Sequence, residues 1–268
     1  MLNQLTADVR EMFQEQVTYR ELLIQMTKRD LMLRYKQTIM GFGWAVFMPL
    51  LNTLIFTVIF TRVAKLDTGG IPYPIFSYTG LMAWNLFASS LRFAVNSLTA
   101  NTNLVTKVYF PREIFPFSAV VVSIVDFAVA SIILVGMMIY YRIAPGSALL
   151  FLPVVLIVHI LFTTGVSLLL AMGNLFFRDI KYLFEVVLML WMFASSVLYP
   201  MDQVGGRLAV LLQFNPMTPI IDAYRSVILL NQLPPAAPFA AASVLAALTL
   251  GFGWVWFHRT EFRFAESV

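Results

Sequence analysis

The chain has 268 residues, of which 60% are hydrophobic and only 12% are charged, and it carries a net charge of +4. A water-soluble chain of this length needs a larger polar surface, so the composition excludes a soluble protein and predicts one integral membrane domain over residues 1–268. Basic residues that hold membrane helices at the cytoplasmic face explain the positive charge, and no nucleic acid partner is expected. The chain has no cysteine, which excludes disulfides and thiolate metal sites.

Residues 1–40 predict two amphipathic helices at the membrane surface. Apolar residues recur at helical spacing from Val9 to Phe13, which gives the first helix one apolar face. Thr18 and Glu21 have the spacing of a capping box and predict the start of the second helix. This second helix is basic toward its end, and such helices lie in the interface and favour anionic lipid.

Three consecutive residues near the end of the second helix allow two interpretations: Arg34, Tyr35 and Lys36. Anchoring at the cytoplasmic leaflet is the simpler one, because surface cations are common in membrane proteins. The alternative is that they form an access site, at which an anionic, lipid-linked substrate leaves the inner leaflet.

Six apolar runs within residues 41–257 predict six transmembrane helices in an all-α membrane domain. They cover residues 41–60, 71–91, 114–141, 148–177, 186–201 and 239–257. Runs of about 20 residues cross about 30 Å of hydrocarbon, and the fifth run is short for this distance. Asp126 is the one charge in the third run, and ionisable residues inside spans are functional candidates. The alternative for Asp126 is a hydrogen bond to Ser123 or Ser131 at a helix contact.

Residues 200–238 are too apolar for a free loop and too interrupted by proline and glycine for a transmembrane helix. They predict two short re-entrant helices between spans five and six, near residues 204–214 and 219–231. Thr218 is placed to cap the second of these helices, with Pro219 in its first turn.

A gate at the outer face is expected in this region, because irregular backbone at membrane depth has to be buried in protein or line a cavity. The expected gate residues are Asn215, Pro216, Asp222, Tyr224 and Arg225. The alternative is that Asp222 and Arg225, three residues apart on one helical face, only pair with each other in a lid that packs the fifth span.

The distribution of basic residues orients the chain. Six crossings place both termini on one side, and the termini with the loops on that side carry most of the Lys and Arg residues. By the positive-inside rule this side is the cytoplasm, so residues 258–268 form a cytoplasmic tail and residues 200–238 face outward.

Residues 101–117 are the long polar interruption in the first half of the chain. Two prolines end helices here, so the stretch predicts a short amphipathic helix, a turn and a new helix from about Glu113. Within it, LVTKVYFPREIFP resembles the first cytoplasmic loop of the permease subunits of type-2 ABC exporters. The match is closest to the branch that exports O-antigens, capsules and teichoic acids. FNPMTPIIDAYR at 214–225 and GFGWAVFMPLL at 41–51 resemble the same family.

The resemblance implies a permease rather than an enzyme, the membrane-spanning subunit of an ATP-driven exporter. It implies export of a lipid-linked, O-antigen-like polysaccharide from the cytoplasmic side across the inner membrane. It also implies a homodimer in membrane lipid, with two copies of an ABC nucleotide-binding subunit at the cytoplasmic face. That subunit would bind ATP and Mg, so no cofactor is expected in this chain, whose sequence has no GxxxxGK[ST] motif. Docking of that subunit is expected at Lys107, Tyr109, Phe110, Pro111, Arg112 and Glu113.

Other functions remain open at this point. A type-2 permease for teichoic acid, capsule, lipid or a drug is the alternative within transport. A membrane-embedded enzyme on lipid-linked glycans would need clustered acid–base groups at one face, which the sequence does not provide. No metal site is expected, because the two histidines, His159 and His258, lie on separate predicted elements. Three aromatic residues of the first span pack in the core or, as the resemblance favours, line a conduit and stack on sugar rings: Phe47, Phe56 and Phe60.

Overall fold

A computed structural model describes residues 10–12, 14–36, 41, 43–63, 66–201, 204–205, 212 and 214–264. Val9, Phe13 and most of the predicted re-entrant helix at 204–214 lie outside these residues. Within the described part of the chain all regular structure is helical and no strand is found, which confirms the all-α fold class.

One central helix organises the fold. In chain order the helices are α1 (Arg20–Tyr35), α2 (Gly43–Val58), α3 (Tyr73–Ser97), α4 (Thr102–Lys107), α5 (Ile114–Tyr140), α6 (Leu152–Phe176), α7 (Ile180–Phe193), α8 (Met217–Ile228) and α9 (Ala236–Thr260). α3 is the central helix and packs against α2, α5, α6, α7 and α8, while α9 packs along α6 and α1 packs along α5.

Three helical segments among the described residues are long and apolar enough to cross a membrane: Ile114–Tyr140, Ser147–Phe176 and Ala236–Arg263. The chain is therefore a multi-pass membrane protein, and a further apolar segment, Val46–Arg62, is shorter. α3 has 25 residues but is more polar, because it contains several hydroxyl side chains, and Ser77, Thr79 and Ser90 among them are buried inside the protein. Thr79 and Ser90, for example, donate hydrogen bonds to carbonyl oxygens one turn earlier in α3. The arrangement of six spans remains a prediction.

The predicted fifth span is a shorter helix than a bilayer needs. α7 begins at Ile180, before the predicted start at residue 186, and ends at Phe193. Its 14 residues extend about 21 Å at the α-helical rise, against about 30 Å of hydrocarbon. α8 has only 12 residues, so neither helix crosses a membrane alone.

Neither predicted helix cap is present. The Thr18 hydroxyl donates to a carbonyl oxygen one turn earlier, and Tyr19 precedes α1 without a side-chain cap. Residues 14–18 are already helical, and the Tyr19 N–H donates to the Glu15 carbonyl oxygen at 2.8 Å, so a helical turn precedes α1 where a cap was predicted. At the start of α8, Thr218 lies inside the first turn, and Asn215 Oδ1 accepts the Met217 N–H at 3.0 Å instead.

α6 and α9 approach each other closely because glycines lie at their contact. A Cβ atom at Gly165 would lie 2.6 Å from the backbone nitrogen of Leu250, and one at Gly253 would lie 2.8 Å from the Gly165 carbonyl oxygen. Small residues let membrane helices pack at this distance. The contact holds α9 against α6 and so positions the end of α9, which contributes to a site described below.

Candidate functional sites

The predicted docking element, residues 102–113, consists of α4, an extended tip and the turn before α5. Three consecutive exposed residues form the tip: Lys107, Val108 and Tyr109. Tyr109 is 88% exposed, whereas Phe110 and Pro111 are buried. Phe110 packs edge-on against Phe115, with ring centroids 5.5 Å apart. Of the predicted docking residues, those in the tip are the ones that a partner can contact directly.

Arg112 joins the docking element to the turn that follows α9. Its Nε and Nη2 donate to the Val105 carbonyl oxygen at 3.3 and 3.1 Å, and its Nη1 donates to the Glu261 carbonyl oxygen at 3.0 Å. The Arg112 backbone N–H also donates to the Glu261 carboxylate at 3.3 Å. The guanidinium therefore holds α4 against the end of α9.

Glu113 is fully buried and connects three segments of the chain. Its Oε2 accepts a hydrogen bond from Gln16 Nε2 at 2.9 Å, and its Oε1 lies 3.3 Å from Nδ1 of His258. Glu15 Oε2 lies 4.0 Å from the same histidine nitrogen. Burial raises the pKa of the Glu15 carboxyl, and the charge of His258 opposes this effect. Because it is buried, Glu113 positions the docking element from inside and is not displayed to a partner.

The same cluster has the composition of a candidate metal site. Ligand atoms of Glu15, Glu113 and His258 lie within 4.8 Å of one another. The two carboxylate oxygens of Glu113 already face Gln16 and His258, so hydrogen bonding and ion pairing explain the arrangement. We therefore interpret the cluster as a polar connection between helices.

A second site lies where the end of α1 meets the middle of α5. It is named the cation site after its own positive group, the guanidinium of Arg34. Arg34 Nη1 lies 2.5 Å from Asp126 Oδ2, and Arg34 Nη2 donates to the Ser89 hydroxyl at 3.2 Å. The Tyr35 hydroxyl donates to the other carboxylate oxygen of Asp126. The guanidinium also lies over the Phe93 ring, 4.3 Å from its centroid. Two of the three predicted access residues are thus brought together on one carboxylate.

The alternative that Asp126 is hydrogen-bonded to Ser123 or Ser131 is wrong. Ser123 and Ser131 donate to backbone carbonyl oxygens one turn earlier in α5, which a serine hydroxyl reaches easily within its own helix. The partners of Asp126 come instead from α1, with Tyr35 at a separation of 91 residues. Lys36, the third predicted access residue, is exposed.

The cation site opens into a cavity of about 580 Å³ lined by residues of α1, α2, α3 and α5. Its polar lining residues are Arg34, Tyr35, Asn52, Asn85, Ser89, Arg92, Ser123 and Asp126. Arg92 also forms a half-exposed ion pair with Glu185 at 3.1 Å. Trp44 and Phe93 contribute aromatic surface. Two guanidinium groups, one carboxylate and several neutral donors give this cavity the composition of an anion site.

The three predicted conduit residues of the first span have different environments. Phe47 is 43% exposed and meets Trp44 edge-on, with centroids 5.8 Å apart. Phe56 and Phe60 pack against the core, where Phe60 stacks on Tyr73 at 5.7 Å. Packing accounts for the positions of Phe56 and Phe60, and a role in lining a conduit stays a prediction for all three residues.

Arg225, one of the predicted exit residues, is buried and lies at the centre of a hydrogen-bonded network. Arg225 donates to the carbonyl oxygens of Ser196, of Val197 at 2.7 Å and of Phe76 at 3.3 Å. It also pairs with Asp222 at 3.2 Å, as the spacing predicts. The network ties α8 to α3 and to the segment that follows α7.

Two further predicted exit residues anchor α8. The indole N–H of Trp191 donates to Asn215 Oδ1 at 2.8 Å, and Asn215 Nδ2 donates to the Ala194 carbonyl oxygen at 2.7 Å. Tyr224 is fully buried, and its hydroxyl lies 3.3 Å from Nδ1 of His159. In this structure the predicted gate residues hold α8 in place, and their movement stays a prediction.

Residues 21–229 match the family model described as ABC-2 type transporter. This chain belongs to the ABC-2 type transporter family. The predicted resemblance to type-2 ABC permeases is thereby confirmed.

Relatives of this ABC-2 transporter match it over nearly its full length. It is 31% identical over 263 residues to the O-antigen export system permease protein RfbA of Myxococcus xanthus, which covers 97% of this chain and 98% of the relative. It is 29% identical over 251 residues to the protein of the same name from Klebsiella pneumoniae, over 92% and 94% of the two chains. Identity with the polysialic acid transport protein KpsM of Escherichia coli is 20% over 238 residues, covering 87% and 91%.

Several contacts in these sites of the ABC-2 transporter were not predicted from its sequence. The unpredicted partners are Gln16, Ser89, Ser196, His258 and Glu261. These contacts could not be predicted because the partners are far apart along the chain. Gln16 and Glu113 are separated by 97 positions, and Arg112 and Glu261 by 149. Asp126 gave the one usable signal, because a charge in an apolar run requires a partner.

Proposed function

We propose that this ABC-2 transporter is the membrane-spanning subunit of an ATP-driven exporter, and that it moves a lipid-linked, O-antigen-like polysaccharide from the cytoplasmic side across the inner membrane. The observation that carries the proposal is the near-full-length similarity to two permeases named for O-antigen export. The cavity at the cation site supports it, since guanidinium and aromatic groups together suit a ligand that combines phosphate with sugar.

In the proposed architecture six spans place both termini in the cytoplasm, and two copies of the chain form a closed dimer. α7 exposes large apolar side chains on much of its surface: Leu183, Val186, Val187, Met189, Leu190 and Phe193. Membrane lipid or a second copy of the chain has to cover such a surface. A two-fold dimer is the commonest closed assembly and would enlarge the path for a polymer.

Two copies of an ABC nucleotide-binding subunit complete the proposed exporter and bind ATP and Mg. The tip of the docking element is the proposed contact, because Lys107 and Tyr109 are exposed there. Arg112 and Glu113 act behind it, through their bonds to the end of α9 and to the segment before α1. A movement of the ATPase subunit at the tip would thereby be transmitted to α9 and to the segment before α1.

The outward gate is also part of this proposal. α8 is too short to cross a membrane, and polar residues at its start and middle face the segment that follows α7. The backbone on either side of α8 is not helical, and non-helical backbone is tolerated at membrane depth when it is buried in protein or lines a water-filled path. Opening would require α8 to leave the segment to which Arg225 holds it.

Reconstitution tests the proposed function. The permease and its ATPase partner are inserted into liposomes that contain a polyprenyl-diphosphate-linked O-antigen, and a membrane-impermeant lectin measures the glycan on the side away from ATP. ATP should increase this signal, and a partner subunit blocked in ATP hydrolysis should abolish the increase. Movement that is equal with and without ATP would contradict the proposal. A capsule-type glycolipid is the second substrate to compare, because the similarity to KpsM favours polysaccharide export more generally.

A further inference from the structure

Asp126 of the Arg34–Asp126 ion pair lies within α5, an apolar helix long enough to cross a membrane, where charged residues are rare. Asp126 follows Ile114, the first residue of α5, by about 12 residues, or about 18 Å along the helix. The two side chains are only 26% and 15% exposed. Replacing a buried ion pair by well-packed apolar residues of the same size is often neutral or even stabilising. Stability is therefore a weak explanation for the pair, and function is the stronger one.

The groups around Asp126 are those that bind a phosphate. The Arg34 guanidinium, the Ser89 hydroxyl and the Tyr35 hydroxyl converge on this corner of the cavity. A guanidinium presents parallel N–H donors that match two phosphate oxygens. A phosphate ester brings more negative charge and more acceptor oxygens than one carboxylate. It therefore competes effectively with Asp126 for Arg34.

We propose that the cation site binds the phosphate group that joins the glycan to its lipid, and that this phosphate replaces Asp126 as the partner of Arg34. The ion pair is then a latch, closed by the protein's own carboxylate and opened by the substrate. This inference rests on the proposed function and adds to it the headgroup chemistry and a role for Asp126. Asn52 and Asn85 line the same cavity, and their side-chain amides would hydrogen-bond the rest of the headgroup.

Opening the latch would free the last turn of α1. Arg34 and Tyr35 are the final two residues of that helix, and both hold it to α5 through Asp126. The helical segment just before α1 carries Gln16, which donates to Glu113 behind the docking element. Substrate and ATPase therefore act near the two ends of one stretch of chain, which gives binding a direct physical route to the docking element.

Protection of an introduced cysteine tests the latch without measuring transport. Met48 lines the cavity, is 48% exposed, and its replacement introduces a cysteine into a chain that has none. In the Met48→Cys complex with its ATPase partner, labelling by a charged thiol reagent is followed with polyprenyl diphosphate, polyprenol or inorganic pyrophosphate present. The lipid diphosphate should protect the cysteine, and the other two probes should protect it poorly.

Two variants and one control then assign the residues. Arg34→Gln should raise the half-protecting concentration of polyprenyl diphosphate at least about tenfold. Asp126→Asn should lower it, because the competing charge is gone. Lys28→Gln, which removes an exposed charge from the same helix, should leave it unchanged. If Arg34→Gln does not yield a folded complex, Arg34→Lys keeps the charge without the fork and should weaken protection by the diphosphate.

Each of three outcomes would overturn the inference. Equal protection by polyprenol would show an apolar site, and equal protection by inorganic pyrophosphate would show a site for free phosphate. Weaker binding by Asp126→Asn would show that Asp126 supports the ligand site and does not compete with the ligand. Failure of the latch leaves ATP-dependent export in liposomes intact, whereas failure of the proposed function appears as loss of export with cysteine protection retained.

Discussion

Gly80 lies directly against the guanidinium of Arg225. A Cβ atom built at position 80 would overlap Arg225 Nη2 and lie 2.5 Å from the Val197 carbonyl oxygen. The arginine bridges α8, α3 and the segment after α7, and it fits between them because α3 has no side chain at this point. The whole network therefore depends on a glycine in the central helix.

Gly80→Ala should destabilise the protein by about 1–3 kcal/mol, because overpacking forces the guanidinium or the Val197 backbone to shift. The measurement is the thermal unfolding midpoint of the purified chain, followed by intrinsic fluorescence. Gly136→Ala in α5 is the matched control, since no atom lies within 4 Å of a Cβ there. It should be neutral or slightly stabilising. Equal midpoints for the two variants would contradict the contact.

The sequence predicts those parts of the fold that local patterns specify. α5, α6 and α9 follow from long apolar runs, and the Asp222–Arg225 pair follows from helical spacing. The cation site was only half predictable. The sequence marks Arg34 and Tyr35 as candidate access residues, because one is basic and the other amphipathic and both lie near a predicted membrane surface. Their partner could not be deduced, because a contact across 91 residues depends on how α1 packs against α5.

The docking element shows the same division between local pattern and packing. Its short helix and proline-bounded turn were predictable, because prolines restrict the chain locally. The sequence could not separate the exposed Tyr109 from the buried Glu113, which are four residues apart. Burial of Glu113 depends on Gln16 and His258, which arrive from opposite ends of the chain.

Tyr109→Ala should weaken binding of the ATPase subunit roughly tenfold or more, because exposed tyrosines are frequent anchors of protein interfaces. It should not change the unfolding midpoint of the permease alone, since the side chain makes few contacts within the chain. The measurement is the Kd of the ATPase subunit for the immobilised permease. Tyr182→Ala, at an exposed tyrosine of α7, is the control and should bind normally. Unchanged affinity in both variants would place the docking surface elsewhere.

Glu113→Gln should instead lower the unfolding midpoint. The substitution removes the charge that faces His258 and weakens the bond from Gln16, and hydrogen bonds to charged groups contribute about 1.5–3 kcal/mol each. Glu185→Gln is the comparison, because its ion pair with Arg92 is half exposed and such pairs contribute about 0–1 kcal/mol. A Glu113→Gln variant that unfolds like the wild type but loses its ATPase partner would show that Glu113 contacts the partner directly.

Cross-linking α8 to the segment after α7 distinguishes a moving gate from a fixed anchor. The Ser196 hydroxyl donates to Asp222 at 2.8 Å, so cysteines at these two positions lie within reach of a short thiol cross-linker. The chain has no other cysteine to interfere. If α8 has to leave this segment for polysaccharide to pass, cross-linking Ser196→Cys with Asp222→Cys should abolish export, and reduction should restore it. Each single-cysteine variant, treated with the same reagent, controls for the loss of the hydrogen bond and of the charge beside Arg225. Full export by the cross-linked protein would show that α8 can stay fixed to this segment during transport, and that the outward path opens at another surface.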